Sequence, residues 1–167
     1  MAEVQNRCVP GKVYISGWAA LNMRDGTDNS GDWHPLQVLP DMIEYAGEGC
    51  EINTLPWLGE KGVLAYPDRD SLLDSCPSRR YWDSFPPPYL VANHKRAAVD
   101  LLYHDFIVLP HIRGRSVDIY AWMDKDEDIQ EILDDFQIII DALADTPQAV
   151  NPEHWRDYKK MIWKNAA

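Results

Sequence analysis

Positive charge is scarce in this chain: 16 Lys and Arg residues stand against 27 Asp and Glu, for a formal net charge of -11. A phosphate backbone is gripped through a basic footprint, so direct nucleic-acid binding is not expected. Long apolar runs are missing as well. No stretch approaches the roughly 20 residues of a membrane span, and the opening MAEVQNRCVPGK has no apolar stretch of the kind a signal peptide carries. The expected location is cytoplasmic, with no membrane partner. Cysteine is limited to Cys8, Cys50 and Cys76, far apart and without a C-x-x-C pair. That excludes a disulfide framework and a zinc knuckle and leaves reduced, partly buried thiols. The signatures of common catalytic sites are missing too: there is no G-x-S-x-G, no H-E-x-x-H, no G-x-G-x-x-G and no phosphate loop. No cofactor and no metal is therefore expected, and no repeat or low-complexity tract organises the chain.

What is present is apolar and aromatic: 46% hydrophobic residues with seven Trp and eight Tyr, in a chain of 167 residues. That length suits one core, so a single domain over residues 1–167 is expected. Residues 12–23, KVYISGWAALNM, carry β-branched and aromatic side chains and predict a buried strand, with Gly17 at a bulge or close approach. RDGTDNSGD follows as a polar loop. EINTLPWLGEKGVLAY predicts an antiparallel hairpin around GEKG, its first strand pushed to an edge by Pro56. An irregular proline-rich insertion at about 67–88 ends in three consecutive prolines, a stiff entry to a helix beginning near Tyr89. DFIVLPHIRGRSVDIYAWM predicts one or two strands broken at Pro110 and Gly114. In DIQEILDDFQIIIDAL, Ile129, Ile132, Leu133, Phe136, Ile139, Ile140 and Leu143 share one helical face. Asn151 and Pro152 open a last helix with the stripe Trp155, Tyr158 and Ile162. The order predicts an α+β fold, a mainly antiparallel sheet packed against about three helices, with an acidic helical C-terminal part at about 124–164.

Three groups of residues are candidates for function. On the helix ANHKRAAVDLL, residues 92–102, Leu90, His94, Ala97, Ala98, Leu101 and Leu102 predict the core side, and Asn93, Arg96 and Asp100 predict a displayed polar side. That side reads either as a partner-binding patch or as a helix surface with one ion pair worth about 0.3–0.5 kcal/mol. The second group is acidic. From Asp118 to Asp145 ten carboxylates face the single Lys125, and Glu131, Asp134 and Asp135 predict a surface for a protein partner that is basic or handles nucleic acid. The third is Asp32, His34 and His94, whose side chains suit a general base or a divalent metal. Their spacing matches no ligand pattern; the favoured reading makes SGDWH a capped turn and His94 a buried, satisfied histidine.

Two further functions stay open at this level. One is a small metal- or His-dependent enzyme acting on a nucleotide or phosphoester, with Arg96 holding an anionic group. The other is a self-associating structural subunit using exposed aromatics such as Trp82 or Trp163.

AALNM followed by SGDWH, together with ANHKRAAVDLL and an acidic helical tail, resembles a family of small bacterial cytoplasmic proteins. Its members share an ALN...GDWH opening and an ANHxRAxLDLL helix. The resemblance spans roughly the first hundred residues and leaves out the proline-rich segment. It implies a toxin-antitoxin or phage-defence association, in which Gly31, Asp32, Trp33, His34, Asn93, His94, Arg96 and Asp100 are motif positions. The function expected is a non-enzymatic, antitoxin-like or accessory protein-binding module.

Overall fold

Short antiparallel pairs, rather than one long hairpin, make up the β part of the computed structural model, which describes residues 13–14, 16–21, 50–51, 57–68, 70, 87–108 and 117–165. The chain divides into two compact units, Met1–Ala97 and Ala98–Ala167. In the first, β1 (Val13–Tyr14) pairs with β2 (Cys50–Glu51), and β3 (Val63–Tyr66) pairs with β4 (Tyr89–Ala92) in the register Val63 to Ala92 and Tyr66 to Tyr89. β1 and the short helix α1 (Gly17–Leu21) both lie against β4. The class is α+β. Most of the proline-rich insertion, Trp82 included, lies outside the described residues.

Three expectations for this unit need correction. Residues 12–23 do not run on as a strand: among the described residues the pairing covers Val13 and Tyr14, and Gly17, at φ 57, turns the chain into α1. Ala19, Ala20 and Leu21 favour a helix, and the Ala20 amide closes the first turn on the Ser16 carbonyl at 3.3 Å. The GEKG turn joins no hairpin among the described residues either, residues 52–56 lying outside them. It leads into β3, whose partner is β4, while β2 pairs back to β1. Nor does a helix begin at Tyr89. Tyr89 to Ala92 is strand, because aromatic and β-branched residues follow Pro88, and the helix α2 (His94–Tyr103) starts only after Asn93. Asn93 is its cap: the side-chain oxygen accepts from the Arg96 amide at 2.9 Å.

α2 is buried on nearly every side. His94, Arg96, Ala97, Ala98, Val99, Asp100, Leu101 and Leu102 are each less than a tenth exposed. A π-helical turn, His104–Val108, extends it where strand was expected, and α3 (Ile119–Trp122) replaces the other expected strand. Pro110 and Gly114 lie outside the described residues. Asp118 caps α3, accepting from the Ala121 amide at 3.2 Å.

The last two helices follow their sequence pattern. α4 (Asp126–Leu143) buries Ile129, Ile132, Leu133, Phe136, Ile139 and Leu143 on one face, with Ile140 half-buried at its margin. Lys125, at its N-terminus, makes no side-chain capping bond. Asp126, Glu127 and Asp128 stand in the first turn instead, each stabilising the positive end of the helix by about 0.3–1 kcal/mol. α5 (Pro152–Asn165) is capped by Asn151, whose side chain accepts from the amides of Glu153 at 2.8 Å and His154 at 3.4 Å. Its buried stripe, Trp155, Tyr158 and Ile162, meets α4 and the π turn in an aromatic cluster. Phe136 lies 5.1 Å from Trp155 between ring centres, and Phe106 lies 5.5–5.7 Å from Phe136, Trp155 and Tyr158. Edge-to-face pairs of this kind add about 0.5–1.5 kcal/mol each beyond the area they bury.

Inside this cluster the Tyr158 hydroxyl donates to the Val117 carbonyl, tying α5 to the entry of α3. Burial pushes the Tyr158 phenol well above its ordinary value of 10.0, and the carboxylates of Asp118 and Asp105 push the same way against a backbone hydrogen bond from Ile119. The fold thus holds the neutral phenol, while the unfolded chain releases the proton above its ordinary value. Tyr158's contribution is complete below that value and lost as the pH rises beyond it. Denaturant titrations at about pH 9 and about pH 11 should show the parent chain losing about 1.4 kcal/mol more stability than Tyr158→Phe across that interval. Equal losses in both would show that the phenol ionises freely in the fold.

Candidate functional site

The polar side of α2 faces inward. Arg96 is only 3% exposed, and among the described residues its guanidinium reaches the oxygens of Tyr14, Gly59 and Lys61. Nη1 donates to the carbonyls of Gly59 at 3.0 Å and Lys61 at 2.9 Å, and Nε and Nη2 both donate to the Tyr14 hydroxyl, at 3.2 and 3.1 Å. Tyr14 is itself fully buried on β1. One planar fork therefore joins β1, the turn before β3 and the first turn of α2. The turn also docks through its backbone: the Asn93 amide donates to the Gly62 carbonyl at 2.7 Å.

Gly62 fits this contact for two reasons. Its φ of 75 lies in the left-handed region, and a Cβ there would stand 2.8 Å from Arg96 Cβ and 2.9 Å from Asn93 Oδ1. The expected display of Asn93, Arg96 and Asp100 as a partner-binding face is thus corrected. Arg96 and Asp100 are buried and Asn93 is half-buried in its capping role. The helical wheel places them together, but it cannot say that another segment covers them.

Of the Asp32, His34 and His94 set, only His94 lies among the described residues, and it is 2% exposed. Asp32 and His34 lie outside them. Among the described residues no group of three His, Cys, Asp or Glu side chains is gathered in a way that could hold a metal ion. His104 stands 3.8 Å from Asp105 on the π turn, both partly exposed.

The acidic candidates divide. Asp134 is exposed, Glu131 is half-buried and Asp135 is buried. Asp135 falls three residues after Ile132 and four before Ile139, so it sits on the flank of the core stripe; its place on the expected acidic surface is corrected. The open face of α4 carries Glu127, Asp134 and Asp141, and Ile138 lies between the last two at 49% exposure. Gln130 and Gln137 donate to Asp134 and Asp141, each at 2.8 Å, and these neutral amides leave both negative charges in place. Gln137 also accepts from the Trp155 indole at 2.7 Å, which anchors this face to α5.

A basic face, not anticipated as a site, lies on α5. Arg156, Lys159, Lys160, Trp163 and Lys164 line an open groove of about 490 Å³. Their recurrence at three- and four-residue steps is the signal that could have found it. Arg156 stands 3.6 Å from Glu153 and Lys160 stands 3.7 Å from Asp157, exposed pairs of little energetic weight. Lys159 lies over the Trp155 ring at 5.3 Å.

No protein family, curated protein or solved structure matches this chain. Among the described residues no helix is long and apolar enough to cross a membrane.

The Arg96 contacts predict a stability phenotype. Arg96→Met removes the donors that two carbonyls and a buried hydroxyl share and should cost about 3 kcal/mol or more, and Arg96→Lys, a point charge without the planar fork, should recover only part of it. Gly62→Ala should cost about 1–3 kcal/mol. Chemical denaturation measures all three, and parent-like stability in Arg96→Met would refute the clasp.

Proposed function

We propose that this chain is a protein-binding module that works in the cytoplasm by presenting the outer face of α4 to a basic companion that handles nucleic acid. In this reading it is the neutralising, antitoxin-like or accessory member of a bacterial toxin-antitoxin or phage-defence pair. The observation that carries the reading is the exposed acidic face with Ile138 between Asp134 and Asp141. Charges of one sign around an apolar residue suit a protein interface: the charges steer encounter and reject acidic competitors, and the apolar centre is the part that gains from losing water. The bacterial and defence setting rests on the resemblance carried by the ALN...GDWH and ANHxRAxLDLL segments. With Arg96, Asp100 and Asp135 buried, the contact set reduces to Glu131 and Asp134, joined by Ile138 and Asp141.

The companion to test is the product of the adjacent reading frame, co-expressed with this chain. The parent pair should co-purify, and Glu131→Lys with Asp134→Lys should weaken the complex about tenfold or more, with the loss largest at low salt. A dissociation constant that does not move rejects the α4 face as the contact, and failure to form any complex rejects the reading for that companion.

A further inference from the structure

The described residues include only three exposed large hydrophobic side chains, Val108, Ile138 and Trp163. Two of them sit within faces of opposite charge. Ile138 lies between the carboxylates of Asp134 and Asp141 on α4, and Trp163 lies among the cations of α5. The two helices pack through Phe136 and Trp155, and among the described residues no ion pair joins the carboxylates of α4 to the cations of α5. Among the described residues neither Lys159 nor Lys164 has a carboxylate within ion-pair distance, whereas Arg156 and Lys160 have only exposed partners on their own helix.

We infer that the basic groove of α5 docks the acidic face of α4 from a second copy of this chain. Trp163 of one copy packs on Ile138 of the other, and the lysines of one meet Asp134 and Asp141 of the other. Charge complementarity selects this occupant. A nucleic acid or an anionic membrane would have to approach a chain of net charge -11, whereas a second copy brings its own acid already grouped around an apolar residue. The overall repulsion between two such chains acts over long range and is screened beyond about 8 Å at physiological ionic strength; ion pairs at contact are screened less. Because each copy carries both faces, a two-fold pair makes the contact twice. The contact also covers the surface assigned above to the companion protein, so self-association and companion binding exclude each other.

The test uses the purified full chain alone, which keeps its outcome separate from that of companion binding. Sedimentation velocity over a concentration series should show reversible association of the parent chain. Lys160→Glu with Lys164→Glu makes both faces acidic, and Asp134→Lys with Asp141→Lys makes both basic. All four positions are exposed, and circular dichroism checks that each variant folds. Each double variant alone should associate about tenfold or more weakly than the parent, and an equimolar mixture should recover association as a one-to-one pair. Trp163→Ala should weaken the parent contact without restoring anything on mixing. A parent chain that stays monomeric throughout the series overturns the inference, as does association that survives both reversals or a mixture that stays apart.

Discussion

A guanidinium taken out of water must find acceptors, and in this protein it finds them on segments that are distant in sequence. Arg96 reaches the Tyr14 hydroxyl on β1 and the carbonyls of Gly59 and Lys61 ahead of β3. Few alternatives satisfy a planar fork so fully, and the wholly buried acceptor, the Tyr14 hydroxyl, takes two of its donors. The contact therefore sets more than its own energy. It fixes the turn at 57–62 against the start of α2, and through that turn it fixes where β3 begins and which strand it meets. Gly62 follows from the same constraint, since a side chain there would collide with the residues that make it.

The second unit is held by different physics. Among its described residues no buried cation plays the part of Arg96; α4 and α5 meet through an aromatic cluster in which Phe106, Phe136, Trp155 and Tyr158 share ring contacts. The polar atoms of that cluster are satisfied locally, the Tyr158 hydroxyl by Val117 and the Trp155 indole by Gln137. With its core made of rings and aliphatic residues, the unit can give its outer faces over to charge. That separation yields an acidic helix and a basic groove in one unit, each with one large apolar residue exposed to solvent.

Legibility in the sequence follows the kind of information each element needs. α4 and α5 are readable because their apolar residues recur at the helical period and because Asn151 and Pro152 are a strong local start. The strands are not. Tyr89 to Ala92 follows prolines and precedes a helical pattern, and only pairing with β3 makes it a strand. The run through residues 12–23 has strand-like composition, yet among its described residues only Val13 and Tyr14 pair, and the chain turns at Gly17. The candidate sites divide likewise. Asp134 is on the surface as its spacing suggests, while Arg96, Asp100 and Asp135, polar and outward on a helical wheel, are buried.

Periodicity, caps and composition all act within a short window, and they are enough to give the α+β class, the two C-terminal helices, their inward stripes and the concentration of acid in the last third. Strand partners, the inward turn of Arg96, Asp100 and Asp135, and the exposure of Ile138 and Trp163 came only with the packed chain. Those outcomes depend on which distant segment covers a given face, and no spacing along one helix carries that information.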